Sequence, residues 1–447
     1  MDRLSSRLKR RGWRSVLASM ADHAPFSSGN HVTLYTSADE CLADVHNAID
    51  AAHQRVWMET YVFDGSLAAE RTAGKLAAAA RRGVDVRLLC DWLGSYRMPE
   101  GLLKDLKHAG VDVVMFNSFA RYRGPAAIAF SFMKQMLFPH KVAGIPARYL
   151  ACDHCHTKSR SLRLPPTFRN HRKTLIADAA GFCGSMNIAS EAFSPAAGGS
   201  GTNTEACIRV VGPVTAQLEE ALKESFGLAG VELPAGPTVE RQAPDPANGE
   251  PFKDVRLQLL TNNPHAHRRC ITKVLEIAVR NAAASVRVTT SYFSPPFFLK
   301  KALVGAAARG VPTSLYLSGG SDVLGDSLGT LFQIQKTYMQ FRNVKAFFSV
   351  AKHCHAKWTT VDGRWTMLGS NNWDRISAKR NLEAAVAIDD ARIASRLNSH
   401  MDTLCDCPLA SRVGWSPALY GRSGTMTSVQ WDAASWRQLS YKSRLWV

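Results

Sequence analysis

No apolar run in the 447-residue chain approaches the roughly 20 residues that a bilayer-spanning helix needs. The N-terminus is basic but lacks the continuous apolar core of a secretory signal. Ten cysteines are scattered without a disulfide-like frame, which fits a reducing compartment better than a stapled secreted domain. Acidic residues are in deficit, 37 against 55 Lys and Arg, for a formal net charge of +18. These shortages lead us to expect a cytoplasmic protein, peripheral if it meets a membrane, with an anionic partner: nucleic acid or an acidic bilayer surface. Against them stands 46% hydrophobic content, enough for a sizeable core, in a length that suits two domains or one large duplicated unit.

What is present is organised around one stretch that occurs twice. His171-Arg-Lys173-Thr-Leu-Ile-Ala-Asp178 is followed by Gly184-Ser185-Met-Asn187, and His355-Ala-Lys357-Trp-Thr-Thr-Val-Asp362 by Gly369-Ser370-Asn-Asn372. The run between Lys and Asp is apolar or β-branched, as a buried strand requires. Alternation places His and Lys on one face of that strand, so an imidazole and an ammonium are offered together to an anionic oxygen, most naturally a phosphate. One copy alone would be read as an ordinary strand edge. Two copies that agree at six positions point to a site.

The rest of the chain repeats with them. Strands over Val32–Tyr35, Val56–Phe63, Val84–Asp91 and Val111–Phe116 alternate with helices over Cys41–Ala52, Leu67–Arg82 and Leu102–Ala109. From Val255 the order replays: strand 255–260, helix 270–281, strand 286–293, helix 297–309, strand 311–317. Tyr61-Val-Phe63 corresponds to Tyr292-Phe293, and Gly94-Ser95 to Gly320-Ser321. The pattern predicts an α/β fold, two tandem pseudo-symmetric α/β/α sandwich domains with a mostly parallel sheet and one shared site. The divisions are a basic amphipathic segment 1–30, a first repeat 31–230, a Pro- and Gly-rich linker 231–254, a second repeat 255–406 and a tail 407–447 carrying Trp415, Trp431, Trp436 and Trp446.

In the first segment Leu4, Leu8, Trp13, Val16, Leu17 and Met20 alternate with six basic residues. It can lie in an anionic lipid interface or dock on the body. Phe116 to His171 spans 55 residues, whereas Phe348 to His355 spans only 7, so the first repeat carries about 48 extra residues, an insertion near 120–168. It holds an apolar stretch, Ile128–Phe138, and Cys152-Asp-His154-Cys155-His156. The latter hints at zinc, but no second half-site matches it, and we expect a plain loop and no metal.

Transfer or hydrolysis of a phosphodiester needs a nucleophile, an acid for the departing alkoxide and positive charge around the phosphoryl oxygens. Two histidines meeting across a cleft supply the first pair. Lys173 and Lys357 would hold the oxygens, helped by Ser185, Asn187, Ser370 and Asn372. Glu205 and Glu383 stand at matching places downstream, in Asn203-Thr-Glu205-Ala and Asn381-Leu-Glu383-Ala. A carboxylate on the far ring nitrogen would fix each tautomer. Asp178 and Asp362 complete the motifs and are expected to brace the site rather than react. No cofactor is called for.

This duplicated His-x-Lys-x4-Asp motif with its Gly-Ser-x-Asn resembles the signature of the phospholipase D superfamily. Asn170-His-Arg-Lys173, Gly184-Ser-Met-Asn-Ile188, Gly369-Ser-Asn-Asn-Trp-Asp-Arg375 and Asn381-Leu-Glu383 are most similar to its bacterial cardiolipin synthase branch, over roughly residues 31–405. The resemblance implies a covalent phosphohistidine on the first-motif residue, here His171, with His355 as acid and then base. It also implies transfer of a phosphatidyl group from phosphatidylglycerol to a second lipid alcohol, at the inner face of the cell membrane. A phospholipase D using water, a nucleic-acid phosphodiesterase and a non-catalytic binding module remain the alternatives. The intact motifs argue against the last, and the apolar insertion and Trp-rich tail favour lipid over nucleic acid.

Overall fold

A computed structural model describes residues 12–118, 164–235, 243–320, 326–349, 352–406 and 410–412. The basic residues up to position 11, the insertion with its Cys/His cluster, Ser321 and all four tail tryptophans lie outside the described residues.

The first half comprises α1 (Trp13–Ala21), β1 (Ser27–Tyr35), α2 (Ala38–Ala51), β2 (Arg55–Thr60), α3 (Leu67–Arg81), β3 (Asp85–Asp91), α4 (Glu100–His108) and β4 (Asp112–Phe116). It continues with β5 (Arg169–Asn170), β6 (Thr174–Ala177), β7 (Ala180–Gly184), β8 (Asn203–Thr204), β9 (Cys207–Val211) and α5 (Val214–Ala229). The second half opens with β10 (Phe252–Asn263), β11 (Arg268–Arg269), α6 (Cys270–Asn281), β12 (Val286–Thr290), α7 (Phe297–Ala308), β13 (Thr313–Ser318), α8 (Asp326–Thr337) and β14 (Val344–Ser349). It ends in β15 (His353–Cys354), β16 (Trp358–Val361), β17 (Trp365–Gly369), α9 (Arg375–Lys379), β18 (Asn381–Asp389) and α10 (Ala391–Asp406).

Local chemistry sets these boundaries. Ser37 caps α2 by accepting the Glu40 amide, and Ser66 caps α3 by accepting that of Ala69. Both α3 and α7 stop before a glycine in the left-handed region, Gly83 at φ +87° and Gly310 at φ +83°. β2, β6 and β16 are buried at every position, and their apolar and β-branched residues fill both faces.

The strands join in one continuous series: β4-β3-β2-β6-β7-β9-β1, then β10-β18-β17-β16-β12-β13-β14. The two runs mirror each other about the antiparallel β1–β10 seam. Within the series only β2–β3–β4 and β12–β13–β14 pair in parallel among the described residues. The sheet is therefore mixed rather than mostly parallel. The motif strands come back as tight antiparallel hairpins beside the parallel trios, and the sequence pattern did not carry their direction.

Helices cover both faces. Residues of α5 and α10 pack into one core on the shared face, while α2, α3 and α4 cover the other face of the first half. Helices α1, α6, α7 and α8 do the same for the second. Val16, Leu17 and Met20 of α1 are buried against α6, so the N-terminal helix docks on the body and its apolar face is not open to lipid. None of the helices in the described residues is long and apolar enough to cross a membrane.

Candidate active site

β6 runs antiparallel to β2, with Thr174 opposite Glu59, so the residues just before β6 lie at the C-terminal end of β2. The same pairing of β16 with β12 places His355 and Lys357 at the matching end of the second half. Two short ladders then lace the halves together. β5 pairs in parallel with β18 through Arg169–Asn381 and Asn170–Leu382, and β15 pairs with β8 through His353–Asn203 and Cys354–Thr204. Next in line, the His171 amide donates to Leu382 O and the His355 amide to Thr204 O. Both histidines are thus hung from the opposite half.

The carboxylates cross over in the same way. His171 Nδ1 lies 3.0 Å from both oxygens of Glu383, and His355 Nδ1 lies 2.7 Å from Glu205 Oε1. A carboxylate only accepts, so Nδ1 carries the proton and Nε2 the lone pair in each neutral ring. Each glutamate is fixed in turn by a serine: Ser185 Oγ donates to Glu205, and Ser370 Oγ to Glu383. The serine hydroxyls therefore stand behind the imidazoles, on the glutamates, rather than at the position expected for phosphate donors. Asn187 accepts the Val62 amide at 3.4 Å, and Asn372 lies 3.4 Å from Thr290 Oγ1. Glu205 and Glu383 each meet the ring of the opposite half.

Lys173 Nζ donates to His171 O at 2.8 Å, and Lys357 Nζ donates to His355 O. Lys357 acts electrostatically on His171 and Lys173 on His355, and each lysine feels both glutamates, so the halves make one site. Burial first, and the two lysines next, hold His171 well below its ordinary value. Burial brings His355 down to about 4, against the pull of Glu205. Lys173 is lowered to about 7 by burial and by Lys357. The carboxylates diverge. Burial alone would raise Glu205, but His355, Lys357 and the Ser185 hydrogen bond outweigh it and hold it at about 2. Burial prevails at Glu383 and raises it to about 7.

Asp178 and Asp362 end the motif strands at the far side. At about 3.3 Å per residue, Asp178 is roughly 16 Å along the strand from Lys173. Its carboxylate collects the amides of His53, Gln54 and Arg55, and Asp362 collects those of Ala283, Ala284 and Ser285. Both occupy positive φ, +48° and +55°, at the hairpin turn. They pin the starts of β2 and β12, and Asp362 also accepts from Trp13 Nε1.

Sequence reasoning missed several neighbours. Thr60 and Thr290 make the same contact two residues on, to Val62 O and Tyr292 O, so Tyr61 corresponds to Ser291 and not to Tyr292. Tyr61 stands edge-on to His171, ring centroids 5.0 Å apart, with Lys173 Nζ 5.3 Å from its ring. In its place the second half has Ser291 bonded to His353 Nε2 at 2.7 Å, and His353 lies 6.1 Å from the His355 ring. The equivalent of His353 is Arg169, whose guanidinium forms a buried pair with Asp91 at 2.7 Å. Both positions fall two residues before the motif His, a spacing whose alternation marks the same face.

Family comparison recognises both halves of this duplicated α/β sheet. The family model described as "Cardiolipin synthase, PLD-like domain" matches residues 45–226 and 275–405, more than half of the chain, and the chain belongs to that family. Cardiolipin synthase A of Yersinia pseudotuberculosis serotype O:1b (strain IP 31758) is 26% identical over 371 residues, covering 81% of this chain and 66% of the relative. The cardiolipin synthase A of Yersinia pestis matches to the same extent. The chain thus spans just under two-thirds of the length of these curated relatives. Among solved structures, the phosphatidylserine synthase of Haemophilus influenzae Rd KW20 superposes with a TM-score of 0.60 at 11% identity, over 97% of this chain and 98% of that one. The polyphosphate kinase of Porphyromonas gingivalis reaches 0.50 at 13% identity, over 93% and 53%. At such identities the two structures show the fold alone.

Proposed function

We propose that the protein is a phosphatidyltransferase that moves a phosphatidyl group from phosphatidylglycerol to a second lipid alcohol. The observation that carries this reading is the crossed pair of His–Glu couples beside two lysines. His171 Nε2 attacks phosphorus, the bond from phosphorus to the glycerol oxygen breaks, and His355 gives that oxygen its proton. The acceptor hydroxyl then loses its proton to His355 and attacks phosphorus, the P–N bond breaks, and neutral His171 returns. Lys173 and Lys357 hold the non-bridging oxygens throughout, and no step calls on a metal or cofactor.

The difference between the two couples supports the division of labour. Glu205 is held ionised and pulls His355 toward its protonated form against burial, as a residue that gives and takes a proton needs. Burial and the two lysines keep His171 a neutral nucleophile. The phospholipid substrate is favoured by the family membership and by the relatives named cardiolipin synthase. The test is product analysis with labelled phosphatidylglycerol in anionic vesicles. Cardiolipin plus glycerol, lost in His171→Ala, is the expected result. Phosphatidic acid alone would mean that water is the acceptor, and no turnover of any phospholipid would overturn the lipid reading.

A further inference from the structure

Seven large apolar side chains are exposed among the described residues, and their placement is one-sided. Leu67 and Phe297 open α3 and α7 at equivalent positions, directly after β2 and β12, with 49% and 67% exposure. Phe298 is next in line, its ring centroid 5.4 Å from that of Phe297. Leu93 and Tyr96 lie in the loop after Asp91, whose carboxylate holds the Asn170 amide beside His171. Ile376 is in α9, next to Ser377, whose hydroxyl accepts the Asn372 amide. Phe332 is two residues past Thr330, whose hydroxyl bonds Phe293 O at the end of β12. All therefore follow the strand ends that carry the site. At the opposite end, where Asp178 and Asp362 brace the sheet, none of this class is exposed among the described residues.

Single exposed hydrophobics need no explanation, but a ring of them around one end does. Cations accompany them. Lys273 Nζ lies 5.4 Å from the Phe298 ring, and Lys336 Nζ 5.4 Å from that of Phe332. Lys300 and Lys301 follow Phe298 on α7, which contains no acidic residue, and Arg375 and Lys379 flank Ile376. Apolar tips with ammoniums beside them match the boundary between anionic headgroups and acyl chains. A nucleic acid would take the cations but offers Leu67 and Ile376 nothing to enter.

We propose that this end of the molecule is a docking surface for an anionic phospholipid bilayer, entered by Phe297, Phe298 and Ile376, with Lys300 and Lys301 on the headgroups. The inference rests on the lipid reading of the site. Docked this way, the strand ends that carry His171 and His355 face the bilayer, and a phospholipid reaches them without crossing water.

Co-sedimentation of the full chain with phosphatidylglycerol–phosphatidylethanolamine vesicles tests it, with phosphatidylcholine vesicles alongside. Wild type and His171→Ala should pellet equally with the anionic vesicles. The double variant Phe297→Ser/Phe298→Ser should bind at least about a hundredfold more weakly, as for two rings no longer buried, with an unchanged thermal unfolding midpoint. Lys300→Glu/Lys301→Glu should weaken it too, whereas Arg81→Glu/Arg342→Glu, at the opposite end, should not. A phenylalanine variant that pellets like wild type, or an equal loss from the opposite end, overturns the surface. So does binding that duplex DNA competes away without regard to the phenylalanines. Because pelleting needs no turnover, a wild type that docks through these residues but makes no lipid product supports the surface and overturns the transferase reading instead.

Discussion

At the scale of single residues, the two imidazoles keep only 12% and 13% of their side-chain surface open, and their charge state follows from that enclosure. The crossed couples make distinguishable predictions. Glu205→Gln should behave like a change at His355, and Glu383→Gln like a change at His171, each lowering kcat by about 10²–10⁴-fold. A p-nitrophenyl phosphodiester, whose leaving group departs without an acid, separates them. The first release of p-nitrophenol, which forms the phosphoenzyme, should survive His355→Ala and Glu205→Gln but not His171→Ala or Glu383→Gln, while steady turnover should fall in all four. Equal losses of that first release across all four would contradict the assignment of roles. The same burial acts on stability. Burial holds both histidines below their ordinary value near 6.5 in the folded chain, so the unfolded state binds more protons from there downward, to about 4 for His355. Stability should therefore fall as pH drops through that window. Thermal unfolding midpoints at pH 8, 6 and 4 check this, and His355→Ala should flatten the fall.

At the scale of elements, the site depends on strands held unusually close. A Cβ on Gly184 would stand 2.6 Å from Cys207 Sγ and 2.7 Å from Ala206 O, and one on Gly369 would stand 2.3 Å from Ala384 O. Alanine at either position must part β7 from β9 or β17 from β18, next to the serine that holds the glutamate. The expected cost is about 1–3 kcal/mol by denaturant unfolding, with a larger proportional loss of turnover. An alanine variant as stable and active as wild type would mean that the strands can shift freely. Much of this level was legible in the sequence. Helix α6 occupies its expected residues 270–281, and the motif runs are buried strands, because apolar periodicity and repetition both survive in one dimension. The exchange of glutamates was not legible. Glu205 and Glu383 are related alike to both motifs by repetition, and only the ladders β5–β18 and β15–β8 decide which ring each one meets. Nor could lettering place Ser185 and Ser370, since a hydroxyl beside a phosphate and one beside a carboxylate look the same in sequence.

At the scale of the whole molecule, the halves are joined by more than the β1–β10 seam. Arg172 is fully buried and donates to Ala221 O and Glu224 in the first half and to Glu383 O in the second. Glu224 also pairs with Arg268 of the second half at 2.5 Å. Removing the guanidinium in Arg172→Ala should cost about 3 kcal/mol, because buried partners lose their donor. It should also split a single denaturant transition into two if the halves retain cores of their own. Unfolding that stays single and unshifted would show that Arg172 is no cross-brace.

The exchanged carboxylates also bear on how such a chain can change over time. A half taken alone holds a histidine whose glutamate is elsewhere and a glutamate whose histidine is elsewhere, so it has nothing to be selected for unless a second copy stands opposite. An ancestral single half would have had to work as a pair of identical chains, and fusion then freed the two copies to differ. Divergence has followed, with Tyr61 against Ser291 and Arg169 against His353. Compensating substitutions should accordingly link positions 171 with 383 and 355 with 205, across the linker, and not within either motif.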